Sequence, residues 1–122
     1  MMTPEELHFM GIKVVYKELI DNSYEVLNVR KEADINPQIL AKKNDQLIFV
    51  IVKTEYYPHM GILDPAIVSQ VAQLAVKHNA LCYFSSVGIA NANGETEEAM
   101  SQPVLGGEYY INYEGMKPLP IG

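Results

Sequence analysis

A chain of 122 residues, 48% hydrophobic and 20% charged, has the size and composition of one domain with a real core, and is not a disordered chain. Fifteen acids against nine bases give a net charge of -6, which disfavours a general nucleic-acid binder, whose surface is normally basic. The single cysteine, Cys82, excludes a disulfide framework within the chain and reads as a buried, inert thiol in an apolar run.

The first nine residues, MMTPEELHF, carry acids where a signal peptide carries bases. No apolar run is long enough to span a bilayer, so no membrane role and a cytoplasmic location are expected. Thr3-Pro4-Glu5-Glu6 is a helix start, with a capping threonine, a proline at the first turn and Glu6 completing a capping box. Leu7, Met10, Val14, Val15, Leu19 and Ile20 then give one apolar face of a helix running to about Ile20. Gly11 inside it costs about 1 kcal/mol relative to alanine and suits close packing onto a sheet. Asp21-Asn22-Ser23 ends the helix.

Tyr24 to Arg30 reads as a first strand and Ile35 to Ala41 as a second, with Pro37 near its start. Lys42 to Gln46 is a polar turn. Leu47 to Val52, six apolar residues without alternation, is a central strand covered on both faces. Thr54 to Asp64 reads as a loop, and Asp64-Pro65 starts a second helix that buries Ile67, Val68, Val71, Ala72, Ala75 and Val76. Ala80 to Val87 is a fourth strand, parallel to the third across the helix. Asn91 to Glu98 is a solvated loop, and Gly107 to Glu114 a last strand before a proline-rich tail. The chain is thus one α/β domain over 1–122, with a C-terminal strand and tail over 103–122.

Two constellations invite a binding role. Tyr56, Tyr57 and His59 concentrate aromatic and imidazole groups in one loop, able to stack a base or seat a partner; the bland alternative is a loop that covers the core edge. Tyr109, Tyr110 and Tyr113 make the last strand aromatic, and an exposed edge there would pair with a second copy in a homodimer. His8 and His78 lie on helices and read as surface residues. No phosphate loop, dinucleotide fingerprint, zinc-ligand spacing or nucleophile elbow is present.

The order helix, three-strand meander, helix, strand resembles the core of the PD-(D/E)xK nuclease superfamily over residues 5 to 90. GIKVVYKELIDNSYEVLNVR, ending in Asn28-Val29-Arg30, is similar to the first helix and strand of its Holliday-resolvase-like branch. Pro37 to Lys53, PQILAKKNDQLIFVIVK, is similar to that branch's second and third strands, and Val68 to Val87 to its second helix and fourth strand. The resemblance implies a restriction-endonuclease-like core, a mixed central sheet flanked by helices. It also implies a site in which an Asp and a Glu hold Mg²⁺, which lowers the pKa of a bound water, beside a lysine on the same face.

The lysine is present as Lys53, but Gln38 stands at the Asp position and Ile51 at the Glu position. A neutral amide and an alkyl chain do not replace two carboxylates, so Gln38, Ile51 and Lys53 read as a vestigial site and no cofactor is expected. Asp34, Glu55, Glu18 and Glu25 are the acids that relocation would recruit, with Mg²⁺ as cofactor in that case. Gln70 resembles a glutamine near the site in some members, although Gln70, Gln73 and Lys77 share a solvated helical face. The expected function is a non-catalytic binding or structural module. The alternatives are a metal-dependent nuclease with shifted acids, and a protein-interaction module or homodimer without a nucleic-acid role.

Overall fold

The computed structural model describes residues 1–32 and 34–120. Helix α1 spans Pro4–Asp21, capped as the sequence implies: Thr3 accepts from the Glu6 amide and Glu6 accepts from the Thr3 amide. Its buried face is Leu7, His8, Gly11, Ile12, Val15 and Leu19, a strict three-four spacing. Ile20, expected inside, is 46% exposed, because it falls off that stripe. His8, expected at the surface, lies on the stripe and is buried. Gly11 lies against β3, where a Cβ would fall on the Thr54 hydroxyl.

Strands β1 (Glu25–Val29), β2 (Ile39–Lys43) and β3 (Gln46–Tyr56) form an antiparallel meander. β2 starts four residues later than Ile35. Ile35 donates its amide backwards to the Glu32 carbonyl, in a turn, and Pro37 has no amide to donate. β2 also runs further, through Lys43, because the hairpin turn is only Asn44–Asp45. Both have positive φ (51° and 64°), which Asn and Asp tolerate and which matches the twist of a tight hairpin.

β3 does not stop at Val52. It continues to Tyr56 because β4 (Leu81–Asn91) runs beside it in parallel from Ile48↔Leu81 to Tyr56↔Ile89. Helix α2 (Pro65–Lys77) makes that crossover, capped by Asp64 accepting from the Ala66 amide at 2.9 Å. Its buried residues are Val71 and Ala75, while Val76 turns outward. A short helix, α3 (Glu97–Met100), starts within the last two residues of the 91–98 segment expected as a loop.

β5 (Tyr109–Tyr113) and β6 (Lys117–Leu119) both pair antiparallel with β4, completing a six-stranded mixed sheet of order β1-β2-β3-β4-β5, with β6 also on β4. β6 corrects the reading of that segment as tail; residues 121 and 122 of the tail lie outside the described residues. From Tyr113 to Lys117 the outer chain advances four residues while β4 steps back three, from Val87 to Phe84. The extra residue is a bulge at Glu114–Met116, with Gly115 at φ 97°. β1, the opposite edge, shifts register between Val26 and Asn28.

The sheet separates two cores. α1 covers Ile39, Ala41, Ile48, Val50, Val52, Val87 and Ile89. On the other face, α2 covers Phe49, Ile51, Ala80 and Cys82. Cys82 is buried there, and burial raises its thiol pKa. The N-terminus is tied down at two points: the Met2 amide donates to the Pro103 carbonyl at 2.6 Å, and the Tyr56 hydroxyl to the Met2 carbonyl at 2.7 Å. No helix of the described residues is long and apolar enough to cross a membrane.

Candidate functional site

Gln38 and Ile51 are neighbours across the β2–β3 ladder, one step beyond the last pair, Ile39↔Val50. Ile51 is fully buried and packs with Val71 and Ala75 of α2. Gln38 is also fully buried, and its side chain is committed. The Oε1 atom accepts from the Val52 amide at 2.7 Å. The Nε2 group donates to Asn36 Oδ1 at 2.8 Å and to the Ile35 carbonyl at 3.1 Å. The Gln38 amide donates to Val50, and its carbonyl accepts from Arg30. Gln38 therefore closes the ladder where β2 turns away, supplying the acceptor that the next strand residue would have given Val52. A buried amide needs that partner.

Lys53 is half-buried at the same end of β3. Its Nζ donates to Asn36 Oδ1 at 3.1 Å, so one amide oxygen takes protons from both Gln38 and Lys53. Burial lowers the Lys53 pKa, and the charges of Asp64 and Asp34 oppose that shift. Lys53 thus reaches Asn36 rather than Glu55, which is exposed and accepts from its own neighbour, the Tyr56 amide. Asn36, missed by the sequence reading, is the hub of the cluster. Nothing in its local sequence signals this, because the contact to Lys53 spans 17 positions.

His8 has a buried Nε2 without a hydrogen-bond partner among the described residues, and so does Thr54 Oγ1 on β3. Burial lowers the His8 pKa first, the Lys53 charge adds to it, and Glu32 opposes it. The helical spacing that buries Leu7, Gly11 and Val15 could have found it.

The acids that relocation would recruit are spread over the fold. Glu18 accepts from the Tyr113 hydroxyl at 3.1 Å, at the far side of the α1 core. Glu25 is exposed on the β1 edge, and Asp34 is exposed, its charge raising the Lys53 pKa. Among the described residues no three His, Cys, Asp or Glu side chains gather as a metal would need. The donors present do not fit Mg²⁺, which favours charged oxygens: one amide oxygen is spent on Val52 and the other position is alkyl. Gln70 is exposed on α2.

The tyrosine-rich segment divides. Tyr56 belongs to β3, packs toward the α1 core and donates its hydroxyl to the Met2 carbonyl. Tyr57 and His59 sit in the loop that follows and line a groove of about 320 Å³ with Met60, opposite Tyr110 and Asn112 of β5. The loop folds back on the strand ends: Ser86 Oγ donates to the Gly61 carbonyl at 2.7 Å. Of the β5 tyrosines, Tyr109 donates to the Val104 carbonyl at 2.6 Å. The Tyr113 hydroxyl lies between Glu18 and Ser85, and burial pushes its pKa well up. Only Tyr110, 62% exposed, faces outward.

Comparison with curated proteins and with solved structures returns no match. One family model matches residues 5–119, nearly the whole chain. The chain belongs to that family, a domain of unknown function designated DUF8840.

Proposed function

We propose that this chain keeps a restriction-endonuclease-like core of the PD-(D/E)xK type in which the metal site has been given over to packing, and that it acts as a non-catalytic binding or structural module. The observation that carries this reading is Gln38. A residue at the metal-binding Asp position is instead fully buried and hydrogen-bonded to the Val52 amide. Ile51, at the Glu position, is part of the α2 core. Lys53 donates to the neutral Asn36 amide oxygen, and Asp64 and Asp34 act on it through their charges. The element order and the pairing of β1 to β4 support the fold relationship.

Net charge of -6 supports a partner other than bulk nucleic acid. Self-association by strand pairing finds less support, because both sheet edges are bulged, a common way of blunting an edge. The test is incubation with Mg²⁺ or Mn²⁺ and single-stranded, duplex and branched DNA, beside Lys53→Ala. The expected result is no cleavage. Metal-dependent cleavage that disappears in Lys53→Ala would overturn the proposal and restore the nuclease with relocated acids.

A further inference from the structure

The groove between the Tyr57–Met60 loop and β5 lies toward the carboxyl ends of the parallel pair β3 and β4. Open α/β sheets commonly place ligands at strand ends of this kind. Its floor is Gly88 and Ala90, the two smallest residues of β4 on this face. Gly88 is fixed by the loop above it: an added Cβ would sit 2.6 Å from Met60 Sδ and 3.0 Å from the His59 carbonyl. The loop therefore packs directly onto Gly88, and a side chain there would push it aside.

Three properties of the groove restrict what it can hold. A volume of about 320 Å³ is at the lower end of small-molecule sites and too small for a helix of another chain. The lining contains no carboxylate, ammonium or guanidinium group, on a chain whose net charge is -6. The walls are aromatic and thioether: Tyr57 and Met60 from the loop, Tyr110 from β5, and Met100 from α3. Such groups favour the faces and edges of flat rings. His59 and the Asn112 amide add a few polar atoms for hydrogen bonding.

We propose that this groove binds an uncharged planar heterocycle of one or two rings, held between Tyr57 and Tyr110, with Asn112 and His59 supplying donors or acceptors for its ring nitrogens. The proposal deepens the reading of the chain as a binding module and rests on it. It names the site and the ligand class.

The test is a titration of the full ¹⁵N-labelled chain with adenine and with indole at neutral pH, followed by amide chemical shifts, with benzoate as the charged flat control. The expected result is saturable shifts centred on Gly88, Ala90 and Asn112 for at least one heterocycle, and far weaker ones for benzoate. Tyr110→Ala, at an exposed position, leaves the fold intact and weakens binding by about tenfold or more, the scale of one stacked ring. Ala90→Leu, which fills the floor, abolishes binding while the spectrum elsewhere stays folded. Shifts that never saturate, that centre outside the groove, or that survive Tyr110→Ala would overturn the proposal. Absence of shifts together with absence of DNA cleavage would sink this site and leave the non-catalytic reading standing.

Discussion

Replacing Gln38 by alanine tests what the residue now does. The Val52 amide is fully buried, and Gln38 Oε1 accepts from it at 2.7 Å. Removing the acceptor leaves that N–H unsatisfied, at a cost of about 1–3 kcal/mol. Loss of the buried methylene adds about 0.8 kcal/mol. The Asn36 oxygen also loses its shorter donor, leaving the Lys53 bond at 3.1 Å to hold it. The expected loss is about 2–4 kcal/mol in total. Urea unfolding followed by far-UV circular dichroism measures it, with Gln70→Ala, on the exposed face of α2, as a control near zero. A Gln38→Ala protein within about 0.5 kcal/mol of wild type, the range of an ordinary surface substitution, would refute the ladder-closing role.

Gly11→Ala separates packing from propensity. In a solvated helix it would stabilise by about 1 kcal/mol. Here the new methyl meets Thr54, so the chain is destabilised by about 1–3 kcal/mol, and adding Thr54→Ala recovers part of the loss; a simple gain in melting temperature would contradict the contact. His8 makes stability depend on pH. Its folded pKa is below the ordinary 6.5, so the unfolded chain takes up the proton first. Stability is therefore full above 6.5 and falls as pH drops from there toward the folded value, by up to about 1.4 kcal/mol per pH unit. Melting curves between about pH 8 and 5 should show that slope, and His8→Phe should remove it. Tyr113→Phe takes away the hydroxyl between Glu18 and Ser85 and should cost about 1 kcal/mol in the same urea assay.

Most of the frame is legible in the sequence, for physical reasons that are local. Thr3 to Glu6 and Asp64-Pro65 mark both long helices because capping needs only neighbouring residues. LIFVIV marks a strand buried on two faces. The rest depends on partners far along the chain. β3 and β4 extend to Tyr56 and Asn91 because each pairs with the other and β4 pairs with β5, which compensates for Gly88 within the strand. β6 is a strand only because Cys82 to Phe84 lie beside it. At the site, Ile51 in an apolar run was readable as core. Gln38, by contrast, could have been a surface amide, a weak ligand or a ladder partner, and only the turn at residues 34–37 brings its amide to Val52. Asn36 was invisible for the same reason. Tyr56 and Tyr57 look alike in the chain yet point to different ends, since one closes a strand and the next begins a loop.

The proposal's central claim is that no metal is held at the Gln38, Ile51 and Lys53 positions. A titration of the wild-type chain with Mn²⁺, read by the electron paramagnetic resonance signal of the free ion, tests it most directly. The account predicts a free-ion signal that rises with every addition and no saturable site. One ion bound per chain at a saturable site and displaced by Mg²⁺ would contradict it.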